Sequence, residues 1–495
     1  MPHSEKAKKS HKFLIQKKLI IAFSFLCLLA VALACLFLIF PKKDSENREA
    51  IKQDLIAIQE GSFNSVFFSM FPITGYQAED FRTYRGVDPI LSTGIPTNLT
   101  DLSTYLNTAF ASGNTITNIY LGLDPYAIWQ SCDRKSAQWT KDLETRLLPY
   151  FANYPDISFE IMLPSPSLEY WLSLKEDKTI EMLATYRTLI TSLSSYPNVS
   201  TYFTGAEYWL IANPDSYLAA YDINSVVARK LMLFTFCDKQ YQISNDNADE
   251  LLGRLSDLLA SERQNPTSYP DLSHWQLVFF GDSIIGNYSG SFSIPGVVSG
   301  LSKASTYNYA IGGTHASDIP DYDKAFLDRV KQFSAGTLKV THGEENFAPT
   351  DDQRLCFVVH YGLNDYFSGL PVENKEFPND ETTYAGSLRT GIQFLQENYP
   401  DATIIVMTPP FCALFENGTE RKSEQGGLLT DYVEAAKLVV DEMNAICMDN
   451  YSGLGIHADN QESYLEDGCH LNETGRFLLG AQLIEILAQE NDAMP

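Results

Sequence analysis

Three short apolar runs in the second half of the chain, Trp275 to Phe280, Leu355 to Tyr361 and Thr403 to Met407, are rich in Val, Ile and Phe, and each is followed by Gly, Asn or Pro. Runs of this length, closed by turn formers, are what buried parallel strands look like. Between them lie stretches with helical spacing of apolar positions, such as Leu388 to Glu397, and Thr474 to Leu487 closes the series. Strand and helix in alternation predict a parallel sheet covered on both faces, an α/β fold in three layers, α/β/α.

The first half carries a weaker copy of the same pattern. Val66-Phe67-Phe68-Ser69-Met70-Phe71 aligns with Val278-Phe279-Phe280-Gly281-Asp282-Ser283, and Leu121-Gly122-Leu123-Asp124-Pro125-Tyr126 with Tyr361-Gly362-Leu363-Asn364-Asp365-Tyr366. Ile161-Met162-Leu163-Pro164 aligns with Val406-Met407-Thr408-Pro409, and Asp215-Ser216-Tyr217-Leu218 with Glu462-Ser463-Tyr464-Leu465. The Gly-Leu pair and the proline are 42 residues apart in the first copy and 47 in the second. Four matches in one order predict two tandem α/β units, over residues 63–260 and 274–490. Ser261 to Ser273, with Pro266 and Pro270, reads as the linker.

Ahead of these units, Leu19 to Phe40 carries no charge and only Ser24 as a clearly polar side chain, enough helix to cross about 30 Å of hydrocarbon. Lys6, Lys8, Lys9, Lys12, Lys17 and Lys18 precede it, and only Lys42 and Lys43 follow closely. The positive-inside rule then predicts a cytoplasmic basic tail (1–18), a single transmembrane helix (19–40), a membrane-proximal stalk (41–62) and both α/β units outside the cytoplasm. The apolar run is longer than a signal-peptide core and has no good cleavage site, and it continues past Cys35, which argues against lipidation there.

A net charge of -26 excludes nucleic acid as a partner and disfavours anionic headgroups, because phosphate binding needs a basic surface. Of the eight cysteines, Cys132, Cys237, Cys356, Cys412, Cys447 and Cys469 lie beyond the anchor, and none shows CxxC spacing. Buried free thiols are the expectation; if a bridge exists, it is Cys412 with Cys469, in loops at the same end of the sheet. Asn98, Asn198, Asn287, Asn417, Asn450 and Asn472 begin N-x-S/T triplets. Glycans next to the candidate site would obstruct it, so these read as chance triplets in a bacterial surface protein.

The candidate chemistry lies in four stretches: Gly281-Asp282-Ser283, Gly312-Gly313, Gly362-Leu363-Asn364-Asp365 and Asp467-Gly468-Cys469-His470. A serine hydroxyl is a weak nucleophile until a base takes its proton, and His470 can be that base, held by Asp467. Asp282 and Asp365 read as loop-fixing residues, and His315 and His360 as rim or core histidines. No HExxH, Walker or dinucleotide-binding pattern occurs, so no metal or other cofactor is implied.

In order and content the four stretches resemble the GDSL/SGNH hydrolase family, with Ser283, Gly313, Asn364 and His470 in the positions of its four letters, although the first block reads Gly-Asp-Ser-Ile. The resemblance implies an SGNH, flavodoxin-like sheet, Ser283 as nucleophile, and an oxyanion hole from the backbone N–H groups of Ser283 and Gly313 with the Asn364 amide. In the first copy the nucleophile position is Phe71, Asp124 stands for the asparagine and Tyr221-Asp222-Ile223-Asn224 lacks a histidine, so that copy is degenerate.

An outward-facing membrane-held site makes envelope polymers the natural substrates. The first expectation is a serine esterase removing acyl groups, O-acetyl foremost, from cell-surface glycans. The alternatives are an envelope O-acyltransferase serving D-alanylation or O-acetylation with a membrane acyltransferase partner, and a non-catalytic glycan-binding or scaffold protein.

Overall fold

A computed structural model describes residues 45–320, 323–343, 345–350, 352–413 and 427–492. The expected tail and transmembrane helix, 1–18 and 19–40, lie outside the described residues. Among the described residues no helix is long and apolar enough to cross a membrane. The described residues divide into two compact units: one comprises 45–72, Ala78–Met162 and Tyr196–Ser200, the other Ile73–Gln77, Leu163–Ser195 and the described residues from Thr201 onward.

The first sheet contains β1 (Ser65–Ser69), β2 (Pro89–Leu91), β3 (Asn118–Gly122), β4 (Ser158–Met162) and β5 (Val199–Tyr202), in the order β2-β1-β3-β4-β5. A hairpin of β6 (Tyr217–Ala219) and β7 (Asp222–Ile223) follows. The second sheet contains β8 (Trp275–Gly281), β9 (Ser305–Asn308), β10 (Arg354–His360), β11 (Thr403–Met407) and β12 (Ile446–Met448), in the order β9-β8-β10-β11-β12. Both sheets therefore have the spatial order 2-1-3-4-5, and the strand pairs β1–β2, β1–β3, β3–β4, β8–β9, β8–β10, β10–β11 and β11–β12 are parallel. That shared order is the flavodoxin-like arrangement expected of a duplicated unit.

The strands form because their residues are buried on both faces. All seven residues of β8 are buried, as are Cys356 to His360 in β10 and Ile404 to Met407 in β11. Helices Phe326–Ser334, Tyr384–Asn398 and Leu429–Glu442 pack in one series, and Ile294–Ser302 packs with Glu473–Asp492. These two helical layers enclose the sheet, with Phe280, Phe333, Phe357 and Leu388 in the core.

Two details depart from the sequence alignment. Gly122 pairs with Ser69 at the end of β3, whereas the residue pairing with Gly281 at the end of β10 is His360, not Gly362. The matching residues are therefore Asp124 and Gly362, each the N-cap of the helix that follows its strand. Letter matches aligned two glycines, but strand register and capping set the true correspondence, which moves by two residues and leaves Tyr126 opposite Asn364. Second, the segment expected as a stalk is helical over 45–60, as its composition allows, but it is bound into the first unit. Its buried Asp54 carboxylate accepts from Thr93 N, Thr93 Oγ1, Gly94 N and Tyr105 Oη at 2.7–3.1 Å.

At the far end of the duplication, Asn224 and Asn472 correspond. Each follows a short antiparallel pairing, Tyr217 with Ile223 and Leu465 with Leu471. Each then caps the next helix, accepting from Val227 N at 2.9 Å and from Gly475 N at 3.0 Å. The position of His470 is taken by Asp222 in the first copy, and Phe71 is a buried ring where the second copy has its serine.

Candidate active site

The sheet order places a switch point between β8 and β10, because the chain leaves β8 toward one edge and returns on its other side. Crevices in open α/β sheets form there, at the carboxyl ends of the strands. Ser283 follows β8 and Asn364 follows β10, so the two flank that crevice.

Local capping fixes Ser283. Asp282 accepts from Ile284 N at 3.0 Å and caps the short helix Ser283–Gly286. Its Oδ1 also meets His360 Nδ1 at 3.1 Å, with both side chains fully buried. As the first residue of a helix, Ser283 has an N–H with no intrahelical acceptor, free to face a developing oxyanion.

The loop carrying Gly313 is tied down on both sides. Thr314 Oγ1 donates to Gly281 O at 3.0 Å and to Ile311 O at 2.8 Å, and Asn364 Nδ2 donates to Thr314 O at 3.0 Å. Asp365 is fully buried and accepts from Ala316 N, Ser317 N and Ser317 Oγ at 2.6–3.0 Å. Burial pushes its pKa up, against the pull of these donors. Asp282 and Asp365 thus hold loops, as their sequence contexts suggested. His315 sits at the rim, with Nε2 2.7 Å from Ser368 Oγ.

His470 is delivered by a tight turn. Asp467 Oδ1 accepts from Cys469 N at 2.9 Å and His470 N at 2.7 Å, leaving Oδ2 2.7 Å from His470 Nδ1. The other ring nitrogen, Nε2, lies 2.9 Å from Ser283 Oγ, across 187 residues of sequence. Burial raises the Asp467 pKa, but hydrogen bonds from the His470 ring and from two backbone N–H groups outweigh it, so the carboxyl stays below its ordinary value. An anionic Asp467 fixes the tautomer with a proton on Nδ1, which leaves Nε2 to accept from the serine.

All five expected site residues therefore meet in one crevice, a cavity of about 470 Å³ lined also by Asn287, Leu363, Phe367 and Cys469. Phe367 lies in the segment Asp365 to Tyr384, which reads as a pocket loop in the sequence; Asn287 was missed as a pocket residue and was visible only as a glycosylation triplet. Asn98 and Asn472 cap helices, Asn198 donates to three backbone carbonyls and Asn450 is fully buried, so these triplets have structural uses. Asn417 lies outside the described residues.

Arg476 was also missed. Buried in the last helix, it donates to Phe292 O at 2.6 Å, to Glu473 Oε1 at 2.8 Å and to Leu471 O, and its guanidinium lies 3.6 Å from the Tyr288 ring centroid. Tyr288 in turn donates to Glu466, four residues before the base. This fork fastens the loop after the nucleophile to the loop that carries the base. Its only sequence signal is an arginine beside an apolar helical stretch.

Two site glycines separate by physical role. Gly362 has φ +119°, and a Cβ there would come within 2.8 Å of Pro409 and Tyr384, whereas Gly313 has φ +78° with open space around the Cβ position. Gly362→Ala combines backbone strain with a clash and is expected to cost about 3 kcal/mol or more; Gly313→Ala adds strain alone, about 1–2 kcal/mol. Thermal melts of the two variants should show the larger fall for Gly362→Ala.

Residues 279–476 match the family model described as GDSL-like Lipase/Acylhydrolase. Two curated relatives, each named isoamyl acetate-hydrolyzing esterase 1 homolog, are similar to this chain. The one from Bos taurus is 24% identical over 153 residues, 29% of this chain and 60% of the relative. The one from Mus musculus is 26% identical over 158 residues, 30% of this chain and 61% of the relative. The chain thus spans about three fifths of the length of these relatives. Among solved structures, a member of the lipolytic G-D-S-L family from Veillonella parvula is 15% identical, covering 43% of this chain and 99% of that one, with a TM-score of 0.32. A carbohydrate acetylesterase from Sinorhizobium meliloti is 14% identical, with 43% and 99% covered and a TM-score of 0.31.

Proposed function

We propose that this chain, whose residues 279–476 belong to the GDSL-like lipase/acylhydrolase family, is a serine esterase that removes small acyl groups, O-acetyl foremost, from cell-surface glycans. The observation that carries the reading is the 2.9 Å contact between Ser283 Oγ and His470 Nε2 inside the crevice shared with Gly313 and Asn364.

Each group has one task. Ser283 Oγ attacks the acyl carbon as its proton passes to His470 Nε2. The carbonyl oxygen becomes an oxyanion, met by the N–H groups of Ser283 and Gly313 and by the Asn364 amide. The imidazolium, stabilised by Asp467, returns its proton to the leaving alcohol, and a water activated by the same nitrogen releases the acid. Leu363 and Phe367 line the cavity with apolar surface that suits a short acyl chain more than a charged one.

Support for a surface glycan comes from the expected membrane anchor at 19–40, which would hold the site outside the cytoplasm. The same acyl-enzyme offered a sugar hydroxyl in place of water would be an acyltransferase intermediate, to which a membrane acyltransferase partner would supply acyl groups. Incubation of the purified protein with an O-acetylated polysaccharide is expected to release free acetate in proportion to enzyme. Acetyl recovered on an added acceptor glycan, without free acid, would replace hydrolysis by transfer; the absence of both products would overturn the reading.

A further inference from the structure

We infer that Cys412 and Cys469 are a cross-linking site: under oxidising conditions the chain folds with a disulfide that ties the base-bearing turn to the loop after β11. The inference is independent of the substrate reading.

Both thiols are buried, Cys412 fully and Cys469 at 2% exposed, and the Cys412 side chain is the leading cause that pushes the Cys469 thiol up. Their backbones are joined as well, since Ala413 N donates to Gly468 O at 2.5 Å. That main-chain contact, one residue from each cysteine, sets Cys412 and Cys469 side by side, so bridging needs no large backbone movement. Cys469 lies between Asp467 and His470 in the turn, and its N–H is held by the Asp467 carboxylate at 2.9 Å. A bond there would restrain the element that aims the imidazole at Ser283.

The chemistry is thiol–disulfide exchange with a small-molecule or protein disulfide as oxidant. One cysteine thiolate attacks the oxidant's disulfide, forming a mixed disulfide and expelling one thiolate. The second cysteine then attacks the mixed disulfide, forming the Cys412–Cys469 bond and expelling the other. Two protein thiols are oxidised and one external disulfide is reduced to two thiols. In the folded chain the neighbouring Cys412 thiol and burial both push the Cys469 thiol up, which disfavours its thiolate and slows exchange. Both thiols are closed off from an external oxidant in the folded chain, so the bond forms during folding, before the two loops close over it.

The test is to unfold and reduce the full chain, then refold it with oxidised or with reduced glutathione, alkylate under denaturing conditions, digest and analyse by mass spectrometry. Refolding with oxidised glutathione is expected to give a linked peptide pair joining Cys412 to Cys469, absent from the reduced sample. The linked protein should melt about 5–10 °C above its reduced form. Cys412→Ser should lose that difference, while the linkage analysis of the unsubstituted chain stands even if the variant folds poorly. Full alkylation of both cysteines after oxidative refolding would overturn the inference, as would a linkage of either one to a different cysteine.

Discussion

Replacing Ser283 by alanine is expected to lower kcat toward p-nitrophenyl acetate by a factor on the order of 10⁴ to 10⁶ while leaving the melting temperature within about 2 °C. The large loss follows from covalent chemistry: without Oγ no acyl-enzyme forms, and only a direct water attack, helped by His470 and the oxyanion donors, remains. The small change in stability follows from the structure, in which the side-chain contact of Ser283 is with His470, itself at the pocket surface. His470→Ala should give a comparable loss, and the double substitution little more, because nucleophile and base act as one unit. Equal turnover by Ser283→Ala and the unsubstituted protein would mean that the activity arises elsewhere.

Asp467→Asn is expected to lower kcat by about 10³- to 10⁴-fold with KM little changed. Asparagine keeps an oxygen that can accept from the N–H groups of Cys469 and His470, so the turn should persist. Its amide would present a donor to Nδ1, however, and that selects the tautomer with the proton on Nε2. His470 would then donate toward Ser283 when it must accept. Steady-state kinetics with a circular dichroism control would check this; loss of the turn's fold together with activity would assign Asp467 a structural role alone.

How far the sequence reached depended on whether a function sits in contiguous residues. Ser283, Asp467 and His470 were legible because each stands in a short turn beside a strand or helix signal, and the register of β8 and β10 places those turns at one sheet end. Gly313 and Asn364 were assigned through a family resemblance, and the hydrogen bond from Asn364 to Thr314 shows how their loops meet. Arg476 acts through Phe292, 184 residues away in sequence, and no local pattern marks an arginine that will fork between Phe292 and Leu471.

The duplicated architecture was legible as order and spacing, and both sheets share one strand order. Its residue register was not, because Gly122 and Gly362 look alike as letters while one ends a strand and the other begins a helix. Asp124 therefore does not stand opposite Asn364. It is a half-buried cap whose carboxyl desolvation pushes up to about 6.

The most direct measurement is mass spectrometry of the full chain after acid quenching a brief reaction with p-nitrophenyl acetate. One acetyl group on the peptide containing Ser283, absent from Ser283→Ala and slow to form in His470→Ala, is the expected result. Acetyl on another residue, or labelling of Ser283 that proceeds equally fast without His470, would contradict the proposed pairing of this hydroxyl with this imidazole.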